Sequence, residues 1–335
     1  LRAFRDKDPN GNGKKDEIPL TGCIGPTYFG EPHFYLMNSF IYCNKYDFFY
    51  TAPDGNLGYA PIQNEWREGI RYMNMLYKEK LLDPSAFTQT IEQQKAMCTN
   101  PDAITVGATT AGHIGNAFKI SDDPADARHK DYISLPPMVG PKGVQISPRF
   151  NVLQPIGLAI TDKCKYPEAA FRLIDFLTQE DTVLVTSEGL EGKTWEKAKP
   201  GDKNVLGEAA TYKRLGYLLI GGQANTLFWG NNGCMNRGSE TNGGLRSKWA
   251  YDQDPLSLNG FEVRLFQATK NNYAPYEIKD AYKPVFVSAN LIDEAVQLKV
   301  TLEDYVNRSL AQFVSGDLDV ETKWNDYIAV SYTHL

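Results

Sequence analysis

The apolar positions in residues 65–80 recur with helical spacing. Trp66, Ile70, Met73 and Tyr77 follow one another at intervals of three or four residues, and charged side chains occupy many of the positions between them. Side chains at such intervals share one face of an α-helix. The pattern therefore predicts an amphipathic helix with a buried apolar stripe.

Two short apolar runs ahead of this helix predict a β-hairpin. Residues 48–52 and 57–62 flank the dipeptide formed by Asp54 and Gly55. Asp-Gly tolerates the positive φ angles that a tight hairpin turn requires. Near the amino terminus, Leu1 and Phe4 have the spacing of the last turns of a helix.

Strand and helix patterns alternate further along the chain. Residues 131–136 and 152–161 have the composition of strands, and Pro167 is placed to open a helix. The predicted buried face of that helix consists of Ala170, Leu173, Ile174 and Leu177. This succession of elements indicates an α/β fold.

A last helix is predicted near the carboxyl terminus. Thr301 and Asp304 fit a capping box, and the apolar residues that follow lie on one face up to a stop at Gly316. These residues are Leu302, Val306, Leu310 and Phe313. In contrast, residues 221–244 are too rich in Gly and Asn for a regular element and predict long loops.

The composition limits the classes of function. The chain has 335 residues, of which 42% are hydrophobic and 23% charged, which is typical of a soluble globular protein with two lobes. The net charge of −6 is not concentrated in blocks of like charge, which argues against nucleic-acid binding. Five dispersed cysteines without a CxxC pair, and four histidines without metal-binding spacing, indicate neither a zinc site nor a redox motif nor a metalloenzyme.

One segment has the spacing of a calcium-binding loop. In residues 8–17, side-chain oxygens occupy the first, third, fifth, ninth and tenth positions, glycine occupies the sixth, and the seventh can add its carbonyl. The candidate ligands are Asp8, Asn10, Asn12, Lys14 through its carbonyl, Asp16 and Glu17. Position twelve, which supplies a bidentate glutamate in an EF-hand, is Pro19, so Asp16 or Glu17 must replace it. The alternative is a solvated polar turn.

The candidate ligand-binding residues are aromatic and amide side chains. Trp229 lies with Phe228, Asn231 and Asn232 in the predicted loop region, where an indole can stack on a sugar ring and amides can bind its hydroxyls. Trp195 is a second candidate that could line a cleft or seal a hinge. For both tryptophans the alternative is a role in the core.

Several segments in order resemble the family-1 extracellular solute-binding proteins of ABC importers, within the lipoprotein branch of LplA-like and alginate-oligosaccharide-binding proteins. These segments read DPNGNGKKDEIPLTG, YKEKLLDPSAFTQ, YISLPPMVGPKG, GLAITDKCKYPEAAFRLIDFL and GLEGKTW. The resemblance implies an α/β clamshell of the type II periplasmic-binding kind, from which most of the first lobe is missing. It also implies a structural Ca²⁺, a monomer and a lipid-anchored location outside the cell, or a periplasmic one in a Gram-negative bacterium.

The resemblance divides the chain into four parts. Residues 1–150 are expected to form second-lobe structure with the calcium loop, and residues 151–195 to return to the first lobe and hinge. Residues 196–330 are expected to hold cleft loops and the last helices, and residues 331–335 to be a non-native tail. Since the chain begins with Leu1 rather than an initiator methionine, we expect a fragment that has lost an amino-terminal portion.

The function implied is capture of an oligosaccharide and its delivery to the transmembrane permease, without catalysis. Two alternatives stay open at this point. One is a secreted lyase or glycosidase, which would need paired carboxylates or a base in the cleft. The other is a calcium-stabilised carbohydrate-binding adhesion module.

Overall fold

The computed structural model describes residues 1–25, 30–44, 48–102, 104–147, 159–216, 219–220, 223–224, 245–278 and 287–334. The chain divides into two compact units. Unit 1 consists of Leu1–Lys119, Ala125–Leu153 and Thr269–Leu335, and unit 2 consists of Ile120–Pro124 and Gln154–Ala268. The two carboxyl-terminal helices therefore belong with the amino-terminal part of the chain, and the predicted division into lobes stays a prediction.

Unit 1 is mainly helical. Its helices are α1 (Arg2–Asp6), α2 (Pro32–Met37), α3 (Asn64–Lys78), α4 (Ile91–Cys98), α5 (Ile114–Ala117), α9 (Ile292–Ser315) and α10 (Val320–His334), and its hairpin pairs β1 (Phe49–Thr51) with β2 (Leu57–Tyr59). Unit 2 contains α6 (Pro167–Thr178), α7 (Glu180–Glu188), α8 (Phe261–Ala268) and the short strands β3 (Trp195–Lys197), β4 (Tyr212–Arg214), β5 (Leu219–Ile220) and β6 (Gln223–Ala224).

The packing of α3 against α9 forms the centre of the unit 1 core. Trp66, Ile70 and Met73 are buried on α3, as the helical spacing predicts, and Phe313 is buried on α9. The Asn74 side chain of α3 donates hydrogen bonds to the carbonyls of residues 313 and 314, at 3.0 and 3.1 Å. These bonds satisfy carbonyls in the last turn of α9, where no intrahelical donor remains.

The predicted hairpin is confirmed. β1 and β2 are antiparallel, with Phe49 opposite Tyr59. Gly55 has φ of 82°, so the Asp-Gly turn adopts the left-handed conformation that glycine permits without a steric penalty.

The start of α9 differs from the prediction. The helix begins at Ile292, so Thr301 lies in its interior and does not cap it. The Thr301 hydroxyl donates to the Gln297 carbonyl one turn earlier, at 2.9 Å. The predicted end is confirmed, because Gly316 terminates the helix in the left-handed conformation with φ of 91°.

The unit 2 core is a small aromatic cluster. Val183 and Leu184 of α7 pack against Trp195 of β3 and against Trp249. β3 and β4 pair antiparallel, with Trp195 opposite Arg214. This pairing brings Arg214 beside the buried aromatic rings.

Two other predicted elements differ from the structure. The helix that begins at Pro167 is present as α6, but Leu173, assigned to its buried face, is 57% exposed. The strand predicted at residues 131–136 is absent, because Asp131 ends a 3-10 helix and the backbone of residues 132–136 pairs with no strand. Most of the predicted strand at residues 152–161 lies outside the described residues.

The carboxyl-terminal residues continue α10. Ser331 is fully buried, and its hydroxyl donates to the Tyr327 carbonyl at 3.0 Å. The structure does not test the prediction that residues 331–335 are a non-native tail. Among the helices that the structure describes, none is long and apolar enough to cross a membrane.

Candidate functional site

The candidate calcium loop, residues 8–17, follows α1 directly. Three residues of the loop have positive φ angles, with 45° at Asp8, 68° at Gly11 and 72° at Gly13. Left-handed backbone is readily accessible to glycine and, among the other residues, most often to Asn and Asp. The sequence therefore supplies suitable residues at the points where the loop turns.

The Asp8 carboxylate lies at the centre of the loop. It accepts hydrogen bonds from the backbone N–H groups of Asn12, at 3.1 Å, and Gly13, at 2.8 Å. The Asn12 side chain in turn accepts from the Lys14 N–H at 2.7 Å and donates to both oxygens of Asp16, at 3.2 and 3.1 Å. The Asp8 side chain thus holds the backbone of the loop, and the Asn12 and Asp16 side chains contact each other.

Glu17 has a different environment from these side chains. Glu17 as a whole is half-buried, and the Oε1 atom of its side chain is buried without a hydrogen-bond partner. Leaving a carboxylate oxygen buried and unpaired costs free energy, which a cation would recover. Within the described residues, His, Cys, Asp and Glu side chains form no group of three or more placed to hold a metal ion. A calcium site here would therefore depend on Asn oxygens and a backbone carbonyl as well as carboxylates.

The loop is attached to a distant segment of unit 1. The Asn10 side chain donates to the Ile104 carbonyl at 3.0 Å. Directly after the loop, the Ile18 N–H donates to Thr105 at 2.8 Å, and the Ile18 carbonyl accepts from Gly107 at 2.9 Å. The geometry of the loop is thereby fixed by chain almost a hundred residues away.

Of the predicted ligand-binding residues, only Trp195 lies within the residues that the structure describes. Trp229, Phe228, Asn231 and Asn232 lie outside the described residues. Trp195 is 6% exposed, and its indole N–H donates to the Gly189 carbonyl at 3.0 Å. Its contribution to ligand binding stays a prediction, and its surroundings are those of the core alternative.

A charged cluster in unit 2 was not predicted from the sequence. Glu188 and Arg214 form a two-pronged ion pair with both N···O distances at 2.9 Å, and the guanidinium lies 4.3 Å from the centre of the Trp249 ring. Burial lowers the pKa of Arg214, but the hydrogen bond and charge of Glu188 outweigh this effect and raise it above its ordinary value. The partners lie on different elements 26 residues apart, so no local motif indicates the pair.

The fold is that of the solute-binding proteins of ABC transporters. The solved structure of the substrate-binding protein FusA of Streptococcus pneumoniae in complex with kestose superposes with a TM-score of 0.68 at 20% identity, and covers 99% of this chain and 63% of its own. A solute-binding protein of Bifidobacterium longum infantis, described as HMO-binding, gives 0.70 at 17% identity, covering 99% of this chain and 65% of its own. The alginate-binding protein AlgQ2 gives 0.57 at 15% identity, covering 99% and 63%.

The sequence comparison agrees with the structural one. The fructooligosaccharide ABC transporter substrate-binding protein FusA of Streptococcus pneumoniae is 23% identical over 98% of this chain and 56% of its own length. No family model matches the chain. The predicted α/β solute-binding fold is therefore confirmed. The chain spans a little over half the length of the curated relative that it matches.

Proposed function

We propose that the protein is the substrate-binding component of an ABC transporter, which captures an oligosaccharide outside the cell and delivers it to a membrane permease. The observation that carries the proposal is the similarity of fold along 99% of the chain to substrate-binding proteins of such transporters. The finer assignment to family 1 and to its lipoprotein branch is part of the same proposal.

The proposal of an oligosaccharide ligand is supported by the ligands of several similar proteins. FusA is named for fructooligosaccharides and was solved with kestose, and AlgQ2 is described as alginate-binding. These carbohydrates differ in chemistry, so what they support together is an oligosaccharide rather than one sugar. We assign Trp229 as the stacking platform, with Phe228 beside it and Asn231 and Asn232 binding hydroxyls.

The test is isothermal titration of the protein encoded by the intact gene against a panel of oligosaccharides. We expect one-to-one binding of a carbohydrate that is recovered unmodified. Trp229→Ala should weaken that binding by about 1–3 kcal/mol, the range typical of losing an aromatic contact with a ligand.

Each outcome discriminates between the functional classes. Shorter sugars released on prolonged incubation would favour a lyase or glycosidase and contradict a binding protein. Retention on polysaccharide without binding of any soluble oligosaccharide would favour an adhesion module. Unchanged affinity in the Trp229 variant would remove that residue from the site.

We also propose that residues 8–17 bind a structural Ca²⁺. Glu17 is assigned the carboxylate that Pro19 cannot supply, because its Oε1 is buried and has no hydrogen-bond partner. The remaining ligands would be Asp8, Asn10, Asn12, the Lys14 carbonyl and Asp16, which gives six hard oxygen donors or more. A related structure is described as an EF-hand mutant of FusA, which supports a metal loop in a similar protein.

Thermal melting with and without calcium tests this site. A ligand that binds only the native state adds about 2.7 kcal/mol of stability at a hundredfold excess over Kd. EDTA should therefore lower the Tm of the parent protein and of an Asp102→Ala control. In the Asp8→Ala/Asp16→Ala variant, the Tm should no longer respond to calcium. An equal response to calcium in both variants would identify the loop as a polar turn.

The location and length of the protein are further parts of the proposal. We propose a monomer anchored by a lipid outside the cell, or held in the periplasm of a Gram-negative bacterium. Since the chain covers 56% of FusA, we also propose that residues 1–335 belong to a longer polypeptide that completes the first lobe. Sequencing the intact gene and its neighbours tests this, with permease genes as the expected neighbours.

A further inference from the structure

Residues Thr269–Tyr273 form a π-helical turn in unit 1, directly after α8. Such turns are rare in proteins, and they occur frequently at functional sites. In this turn Asn271 is exposed and Tyr273 is half-buried. The turn therefore combines an amide that solvent can reach with an aromatic ring.

The segment of residues 132–138 joins this turn to α2. The Ser134 carbonyl accepts a hydrogen bond from the Asn272 side chain at 2.7 Å. The Met138 carbonyl accepts from the hydroxyl of Ser39, which lies two residues beyond the end of α2, at 2.9 Å. Four residues of extended chain span at most about 14 Å. The π-helical turn and α2 are therefore neighbours within unit 1.

Tyr35 is the aromatic residue of α2 that lies near the turn. Burial and the neighbouring Tyr273 raise the pKa of Tyr35 above its ordinary value. The Tyr35 hydroxyl donates to the Ala111 carbonyl at 2.6 Å, and the Tyr273 hydroxyl shares a hydrogen bond with the Ser134 side chain. Both tyrosines are only half-buried. Their hydroxyls are thus anchored on the protein while part of each side chain stays accessible.

We propose that Tyr35 and Tyr273, together with the amide of Asn271, form a carbohydrate-contact surface on unit 1. The inference rests on the proposed function and deepens it, because it assigns ligand contacts in addition to those of the Trp229 loop. Aromatic rings pack against the apolar faces of sugars, and an amide both donates to and accepts from hydroxyls. Side chains that are already anchored lose little conformational freedom when a ligand binds, which favours affinity.

The alternative is a structural role, in which the two tyrosines only hold α2 against the turn. Truncating a tyrosine would then lower the stability of unit 1 without changing the affinity for a ligand. Asn271 separates the two roles, because substitutions of an exposed side chain usually change stability little. A loss of affinity in an Asn271 variant therefore reports contact with the ligand.

The experiment is isothermal titration of the protein encoded by the intact gene with a panel that includes kestose and an alginate oligosaccharide, after the ligands of FusA and AlgQ2. Tyr273→Ala should raise the Kd of the oligosaccharide that binds by about tenfold or more, whereas Tyr273→Phe, which keeps the ring, should raise it by about threefold or less. Asn271→Ala should raise the Kd by about threefold to tenfold and change the Tm by less than about 2 °C.

Tyr305→Ala is the matched control. Tyr305 is a half-buried tyrosine of unit 1 on α9, where its ring stacks on that of Tyr327 with the ring centres 5.5 Å apart. Truncating it removes a ring of the same size from the same unit. We expect Tyr305→Ala to lower the Tm and to leave the Kd unchanged.

Two results would overturn the proposal while the parent protein still binds an oligosaccharide. The first is an unchanged Kd in both Asn271→Ala and Tyr273→Ala, which would leave these residues a structural role. The second is a rise in Kd in Tyr305→Ala as large as that in Tyr273→Ala, which would trace the loss to the stability of unit 1. If Tyr273→Ala does not fold, the Kd of Asn271→Ala alone decides. A parent protein that binds no oligosaccharide of the panel would contradict the proposed function, and this assignment with it.

Discussion

Removing the carboxylate from the Glu188–Arg214 pair is expected to destabilise unit 2 strongly. The Glu188 and Arg214 side chains are 1% and 13% exposed, so both charges are largely removed from water. In Glu188→Gln the guanidinium stays buried beside Trp249 without a compensating charge. Breaking a buried pair in this way costs about 3–5 kcal/mol. By contrast, the Lys213–Asp202 pair on the same strand involves a lysine that is 44% exposed, and Lys213→Met should cost about 0–1 kcal/mol.

Urea unfolding followed by tryptophan fluorescence measures the difference, because Trp195 and Trp249 lie in the same cluster. With a slope of about 2 kcal/mol per M urea, Glu188→Gln should lower the midpoint by about 2 M. The double variant Glu188→Gln/Arg214→Met should recover much of this loss, since the unpaired charge is gone. If Glu188→Gln shifts the midpoint no more than Lys213→Met does, the pair contributes no buried electrostatic stabilisation and the reasoning fails.

Three further predictions concern single positions. Gly140→Ala should lower the free energy of unfolding by about 2 kcal/mol or more, because a Cβ there would lie 1.6 Å from the Ser39 carbonyl oxygen. Gly25→Ala is the control, since a Cβ there meets no atom within 4 Å, and urea unfolding should show a change within about 0.5 kcal/mol. Hydrogen bonds from Lys248 and Tyr212 hold the pKa of Glu180 below its ordinary 4.5. The stability that these bonds contribute should be complete above pH 4.5 and lost as the pH falls through the lowered pKa. A Glu180→Gln variant with the same acid unfolding curve as the parent protein would contradict this prediction. Glu17→Gln should weaken calcium binding tenfold or more by titration, and an unchanged Kd would remove Glu17 from the ligand set.

The elements that the sequence predicts correctly are those that local chemistry determines. The stripe of α3, the Asp-Gly hairpin and the Gly316 stop each follow from spacing or from backbone freedom within a few residues. The capping box at Thr301 was wrong because the same local pattern occurs inside a longer helix, where the hydroxyl bonds back to Gln297. A local motif does not report whether the preceding residues are helical too.

The other differences depend on distant partners. A strand exists only where another strand pairs with it, so the composition of residues 131–136 was insufficient. In the candidate site, the loop spacing predicted the candidate ligands, and their role in binding calcium stays a prediction. The burial of the Glu17 Oε1 atom was not predictable, because spacing within the loop does not report the solvent exposure of its side chains. The Glu188–Arg214 pair was missed because its partners lie on different elements.

The pairing of α3 with α9 has a consequence during synthesis of the protein. Asn74 and Val314, which are hydrogen-bonded in the folded chain, are separated by 240 residues. At about 5–20 residues per second, the ribosome needs about 12–50 s to bridge that separation. During this time the apolar stripe of α3 has emerged without its permanent neighbour, although a helix can form within microseconds. The apolar stripe of α3 therefore stays without its partner on the nascent chain until α9 has emerged.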